Sequence, residues 1–274
     1  MVTHLYIYPI KSLGAVSLAK AVVENEGLRG DRRFMLVDAG GKFITQRTRP
    51  ELTRFVLSES AQGFTVKDTA SGLEKELTWE PTLGSWIPVE IWEDQLPARE
   101  VLEGWSDWFS NALSEEVRLV RISSEKPRVM KAKYQTEIAK NTSFADSLPL
   151  LLVSEGSYAA LQKHVEEPID QPIDKLRFRP NIIVSSFEPF VEDTWAELKI
   201  GEVSLSGAKP CARCPLINVN PLTGESDKKT LKALASFRTI NHKVYFGQQF
   251  VPISVGKIKV GMEIHVIQSK DALY

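Results

Sequence analysis

The densest chemistry in the sequence lies in Lys209-Pro210-Cys211-Ala212-Arg213-Cys214-Pro215, which holds both cysteines of the chain with Lys209 and Arg213 beside them. A structural zinc site needs four ligands. Beyond this pair the sequence offers only His4, His164, His242 and His265, at no recognisable spacing. A thioredoxin-type dithiol wants its CxxC between a strand and the start of a helix, whereas Pro215 and the strand-like Leu216-Ile217-Asn218-Val219 follow here. Two readings remain. The pair is either two small, inert, buried side chains, or thiols whose neighbouring cations favour the thiolate. A thiolate is a soft ligand, and a single one suffices for a metal whose other ligands arrive with a cofactor.

Three further clusters carry cations. Tyr8-Pro9-Ile10-Lys11-Ser12 runs from a strand into a lysine and a hydroxyl. Gly27-Leu28-Arg29-Gly30-Asp31-Arg32-Arg33-Phe34 places three arginines near one aspartate, and Arg177-Phe178-Arg179-Pro180-Asn181 sets two more before an apolar strand. Taken singly, each reads as a charged turn, with surface ion pairs worth ~0–1 kcal/mol. Taken together, arginine forks, a lysine and a hydroxyl suit a phosphorylated cofactor.

The chain that must position these residues has 274 of them, 34 basic against 35 acidic, 43% hydrophobic, with only two cysteines. This length buries a real core in one large or two modest domains, without disulfide staples. A net charge of −1 gives no global attraction for nucleic acid or anionic membranes, so dedicated nucleic-acid binding is not expected. The opening MVTHLYIYPIKS lacks a signal-peptide pattern and the densest apolar run, Leu148 to Val153, is too short to span a bilayer, which predicts a cytoplasmic protein with no membrane anchor. Charge is nonetheless uneven. Residues 55–107 carry three basic and eleven acidic side chains, either a solvated face or a docking surface for a basic partner.

Short runs rich in β-branched and aromatic residues predict strands over Thr3–Tyr8, Val16–Val23, Arg33–Val37, Phe43–Gln46, Arg54–Ser58, Phe64–Lys67, Leu77–Trp79 and Trp86–Trp92, with a hairpin turn at Asp38–Gly41. Apolar spacing predicts a helix from Val101 to Leu113, and Glu125–Ser143 reads as a polar surface loop or lid. In the second half, strands are predicted at Val117–Ile122, Leu150–Val153, Asn181–Ser185, Ala196–Ile200, Val203–Leu205, Leu216–Val219, Val244–Val251 and within Lys257–Ile267. Helices are predicted at Tyr158–Val165, capped by Ser154 or Ser157, and at Lys228–Ser236. Strands outnumber helices without βαβ alternation, so the expected fold is mixed but mainly β, barrel-like, with a few packed helices.

In order and spacing, YPIKS, GLRGDRRFMLVD, ITQRTRP, FRPNIIV, EDTWAELKIGEV and PCARC followed by NPLTGE resemble the two-part family whose second half is the MOSC domain, preceded by an N-terminal β-barrel partner. Members include the amidoxime-reducing component of mitochondria and bacterial proteins that confer resistance to hydroxylaminopurine. The resemblance covers nearly the whole chain. It implies an N-terminal barrel domain over residues 1–115 and a MOSC β-barrel over residues 116–274. It also implies a molybdenum cofactor held through molybdopterin, independent of pyridoxal phosphate, with Cys214 as the metal ligand and Cys211 a neighbour. The family's cofactor contacts carry over to Lys11, Ser12, Arg33 (one residue ambiguous against Arg32), Ser147, Arg179, Asn181, Ala212 and Arg213, and Asp146 joins Cys214 as a catalytic residue.

The activity so implied is reduction of N-hydroxylated bases, amidoximes or hydroxylamines to amines. No further cysteine is present for an iron–sulfur cluster, so electrons are expected from a separate flavoprotein, ferredoxin-like protein or cytochrome. Two rivals stand beside it: a carrier of molybdenum cofactor or sulfur that does not turn over substrate, and a structural barrel with incidental thiols.

Overall fold

The computed structural model describes residues 1–165 and 172–272. Its largest sheet has nine strands. Their order is Val16–Leu18, Val2–Ile7, Ile182–Val184, Leu150–Ser154, Lys243–Pro252, Val203–Ala212, Trp195–Ile200 and Ile264–Ser269, with Thr239–Ile240 pairing off this path. Neighbours along the path run antiparallel except Leu150–Ser154 and Ile182–Val184, which are parallel. Parallel neighbours need a crossover, and the Glu155–Lys163 helix lies in this one. Ser154 caps that helix, its side chain accepting from the Ser157 amide at 3.2 Å.

A four-stranded sheet orders Phe34–Asp38, Val117–Arg121, Asp94–Val101 and Leu83–Ile91, and a meander joins Phe55–Glu59, Gly63–Asp68 and Glu74–Thr78. The early residues are stitched into later ones. Val2–Ile7 pairs with Ile182–Val184, Lys20–Glu24 with Gly256–Lys259, and Phe34–Asp38 with Val117–Arg121. One core runs through this interleaving, taking in Leu5, Phe55, Trp105, Leu150 and Phe250. The architecture is mainly β with three α-helices among the described residues, in line with the sequence reading. No helix among those residues is long and apolar enough to cross a membrane.

The Trp105–Leu113 helix follows from its pattern, since Trp105, Phe109 and Leu113 recur every four residues and are buried. It starts later than predicted, because the Asp94–Val101 strand runs on through Val101 and Gly104 turns the chain at φ 69°. The Asp38–Gly41 turn forms as expected: the Gly41 amide donates to the Asp38 carbonyl at 2.9 Å, with φ 85° at Gly41.

Other expectations are corrected. Val16–Val23 is two strands, and Phe43 makes only an isolated bridge to Val37. Leu216–Val219 is not a strand; Pro215 fixes the first position of a 3-10 turn, Pro215–Asn218, whose Leu216 and Ile217 are buried. Glu125–Ser143 is more than a surface loop. Arg128–Val129 pairs with Asn141–Thr142, and Met130, Ala139 and Arg128 are buried. Its polarity misleads because Arg128 reaches back to Asp94 at 2.7 Å and to the Ala145 carbonyl at 2.5 Å, so a buried charge is paired.

Phe109 packs on Phe55 with ring centroids 5.2 Å apart and is fully buried. Phe109→Ala is expected to lower the unfolding free energy by about 3–5 kcal/mol in urea titration. Val129→Ala, on a side chain 65% exposed, should stay within about 0.5 kcal/mol.

Candidate functional site

Sheet registers bring the separated clusters together. Leu151 lies opposite Gln249 and Gln249 opposite Lys209, two residues before Cys211. The Leu151 amide donates to Asn181 Oδ1 at 3.1 Å, while Asn181 Nδ2 donates to the Tyr6 carbonyl at 3.2 Å. Asn181 thus ties the ends of three strands. The result is a cavity of about 310 Å³ lined by Lys11, Ser12, Arg47, Asp146, Ser147, Arg179, Asn181, Ala212, Arg213 and Cys214, among others.

Arg32 belongs to this group and Arg33 does not. Arg32 takes the left-handed conformation at φ 52°, pairs with buried Asp31, and donates to Asn181 Oδ1 at 3.3 Å and to the Arg179 carbonyl at 3.2 Å. The alternation of the following strand sends Arg33 elsewhere, to an ion pair with Glu26 outside the cavity. The reading that favoured Arg33 is therefore corrected in placement.

Tyr8 is the platform under two of the guanidinium groups. Its ring lies 4.6 Å from Arg32 and 4.0 Å from Arg179, its hydroxyl donates to the Pro180 carbonyl at 3.2 Å, and its amide donates to Asp31 at 2.8 Å. Arg179, itself at φ 54°, spends Nη1 on the Leu13 carbonyl at 2.9 Å and leaves Nη2 buried without a partner. Burial, with Arg32 close by, lowers its pKa to about 10. Arg213 donates to Cys211 Sγ at 3.0 Å and to the Phe178 carbonyl at 2.8 Å, and its Nε is likewise buried and unpartnered.

Asp146 and Cys214 are joined by a residue the sequence reading did not single out. Arg47 donates from Nε to Cys214 Sγ at 3.1 Å and from Nη2 to Asp146 Oδ2 at 3.0 Å, with its guanidinium 4.1 Å from the Trp92 ring. The only signal was its place in ITQRTRP. Lys11 Nζ completes the chain, donating to the Phe144 carbonyl at 2.9 Å and pairing with Asp146. Burial lowers the Lys11 pKa to about 8, against the pull of Asp146. Desolvation in the cavity wall would raise the half-exposed Asp146, but Lys11 and Arg47 outweigh it and hold the carboxyl well below its usual range. Asp146 is ionised at neutral pH, an acceptor and an orienting group.

The lining holds six cations (Lys11, Arg32, Arg47, Arg179, Lys209 and Arg213) against one carboxylate, Asp146. Such a cavity suits a polyanion, and the two orphaned arginine nitrogens are donors left over for one. No group of three or more His, Cys, Asp or Glu that could hold a metal occurs among the described residues. A metal here would therefore need to bring ligands of its own beside the thiol pair. The donor set fits the molybdopterin-borne metal that the resemblance implies.

Two family profiles match the chain, the MOSC N-terminal beta barrel domain over residues 1–116 and the MOSC domain over residues 139–265. Mitochondrial amidoxime-reducing component 1 of Homo sapiens is 30% identical over 97% of this chain and 82% of its own length. Mitochondrial amidoxime reducing component 2 of Rattus norvegicus is 30% identical over 96% and 82%. Molybdenum cofactor sulfurase of Oryza sativa subsp. japonica is 28% identical over 89% of this chain, which spans only 31% of that protein.

Lys11 titrates near 8 when folded and 10.5 when free, so the unfolded chain holds more protons between those values. Its contribution to stability is complete above the upper value and lost as pH falls through the lower. Wild type is thus expected to gain unfolding free energy over Lys11→Met between about pH 8 and about pH 10 in paired urea titrations; a constant difference contradicts the assignment.

Proposed function

The chain belongs to the family that joins a MOSC N-terminal β-barrel domain to a MOSC domain and includes the mitochondrial amidoxime-reducing components, and from this we propose that it is a molybdenum-cofactor-dependent oxidoreductase that reduces N-hydroxylated compounds to amines. One observation carries the reading: a cation-lined cavity with unpartnered arginine donors and two cysteine sulfurs in its wall, of which Cys214 is held by Arg47. In this reading residues 1–115 are the barrel unit and residues 116–274 the MOSC unit, and the site draws on both.

Cys214 supplies the one protein sulfur, and Cys211, occupied by Arg213, stands beside it. Arg32, Arg179 and Arg213 hold the anionic part of the cofactor by charge-assisted hydrogen bonds, with Lys11, Ser12, Ser147, Asn181 and Ala212 completing the cradle. When bound, the molybdenum cofactor supplies two-electron oxygen-transfer chemistry. The balance is R–NHOH plus two electrons and two protons giving R–NH2 and water. The N–O bond breaks, its oxygen leaves as water, and the electrons come from a separate redox protein. Asp146 stays ionised and orients Lys11 and Arg47, while Lys11 Nζ holds a proton whose pKa burial lowers to about 8.

A second reading, cofactor or sulfur transfer without turnover, is favoured by the likeness to the plant sulfurase. Turnover decides between them. Protein from a host that makes the cofactor is expected to carry near-stoichiometric molybdenum and to reduce a hydroxylamine with an artificial donor. Cys214→Ser should lose turnover while keeping the cofactor that the arginines hold, and Cys211→Ser should keep both metal and turnover. Metal without turnover favours the carrier, and neither metal nor turnover overturns the proposal. Arg47→Ala, which removes the group orienting the ligand sulfur, should cost about 10–100-fold in metal affinity or activity, read by elemental analysis after dialysis and by steady-state rates.

A further inference from the structure

A second, larger cleft of about 740 Å³ opens beside the cofactor cavity. The two share Thr45, Trp92, Asp146, Ser147, Leu148 and Lys209 in their walls, so the cleft leads directly onto the Cys214 end of the site. Its size is that of a small-molecule pocket, and its walls differ in character.

One wall presents an aromatic plane. Trp92, 39% exposed, sits in the left-handed conformation at φ 56° in the turn between the Leu83–Ile91 and Asp94–Val101 strands. Its orientation is fixed by Arg47 at 4.1 Å and by Phe43, whose centroid lies 4.8 Å away at 59°. A large ring held at solvent by two neighbours is a stacking surface. Three of the cleft's carboxylates belong to this side: Glu90 and Glu93 lie close to Trp92 in sequence, and Asp94 is neutralised by Arg128 at 2.7 Å; the fourth, Asp146, stands in the shared wall, paired with Lys11 and Arg47.

The other wall is cationic. Tyr134 carries the ammonium groups of Lys133 at 4.9 Å and Lys209 at 5.0 Å from its ring, and Lys131 adds a third. None of these three lysines has a carboxylate within ion-pair distance among the described residues. Two ammonium groups on one aromatic ring and a third lysine in the same wall, none of them ion-paired, suit a dianion such as a phosphate ester better than a single carboxylate charge.

Resting on the N-hydroxy reductase reading, we propose that this cleft selects planar N-hydroxylated heteroaromatic substrates bearing a phosphate tail, with the ring against Trp92 and the phosphate among Lys131, Lys133 and Lys209. Phosphorylated nucleosides with an N-hydroxylated base are members of this class. The ring would place its N-hydroxy group toward the shared wall, and the tail would stay in the wider cleft.

The test compares N-hydroxycytidine with its monophosphate on molybdenum-loaded protein supplied with an artificial donor. The monophosphate is expected to show a KM lower by about tenfold at low salt. The advantage should shrink as salt rises, since exposed charges are screened, and should vanish in the Lys131→Gln/Lys133→Gln double variant. A parallel readout needs no turnover: tryptophan quenching titrated with the monophosphate, present in wild type and lost in Trp92→Phe. Reduction of both compounds with equal KM, unchanged in the double variant, overturns the inference and leaves the activity standing. Reduction of neither overturns the activity, and quenching then decides the cleft: tighter binding of the monophosphate upholds its selectivity, and equal binding overturns it.

Discussion

Gathering six cations around one cavity of about 310 Å³ is the constraint on which the rest of the structure depends. Like charges at this density repel, and the compensation on hand is partial. Asp31 answers Arg32, Asp146 answers Lys11 and Arg47, and the two sulfurs answer Arg47 and Arg213. Aromatic faces take up part of the remainder, Tyr8 under Arg32 and Arg179 and Trp92 beside Arg47. What is left shows as a lysine with its pKa lowered to about 8 and arginine nitrogens without partners. A surplus of this kind is retained where an anion completes it.

Holding such a cluster together requires rigid supports from distant parts of the chain, and the interleaved sheets supply them. The Val2–Ile7 strand delivers Tyr8 to Ser12, the approach to Phe34–Asp38 delivers Arg32, and the approach to Ile182–Val184 delivers Arg179 and Asn181. The Val203–Ala212 strand ends at the thiol pair. Because these strands pair with one another or share buried neighbours, the cations cannot drift apart without breaking sheet hydrogen bonds. Arg47 lies outside this frame, on the segment after Phe43, and locks to it through Cys214, Asp146 and Trp92.

Much of this was legible in the sequence, and the failures have physical causes. Strand-rich composition predicted a mainly β fold, and the four cation or thiol clusters are the segments that converge. Arg32 and Arg33 could not be told apart without the backbone, because a one-residue change at a strand entrance moves a side chain to the opposite face. Leu216–Ile217 read as a strand because burial in a 3-10 turn selects the same apolar residues. Glu125–Ser143 read as a loop because the partners of Arg128 lie at Asp94 and Ala145, one of them far away in sequence. Arg47 and Trp92 were missed for the same reason: a lone arginine and a strand-end tryptophan acquire meaning only from the sulfur and carboxylate beside them.

The central claim is that Cys214 contributes the one protein sulfur to a cofactor-borne metal in this cavity. X-ray absorption at the molybdenum edge tests it most directly, on wild type and on Cys214→Ser and Cys211→Ser loaded in the same host. The account predicts one sulfur neighbour fewer at the metal in Cys214→Ser and an unchanged shell in Cys211→Ser. An unchanged sulfur shell in Cys214→Ser, or a loss that follows Cys211 instead, would contradict it.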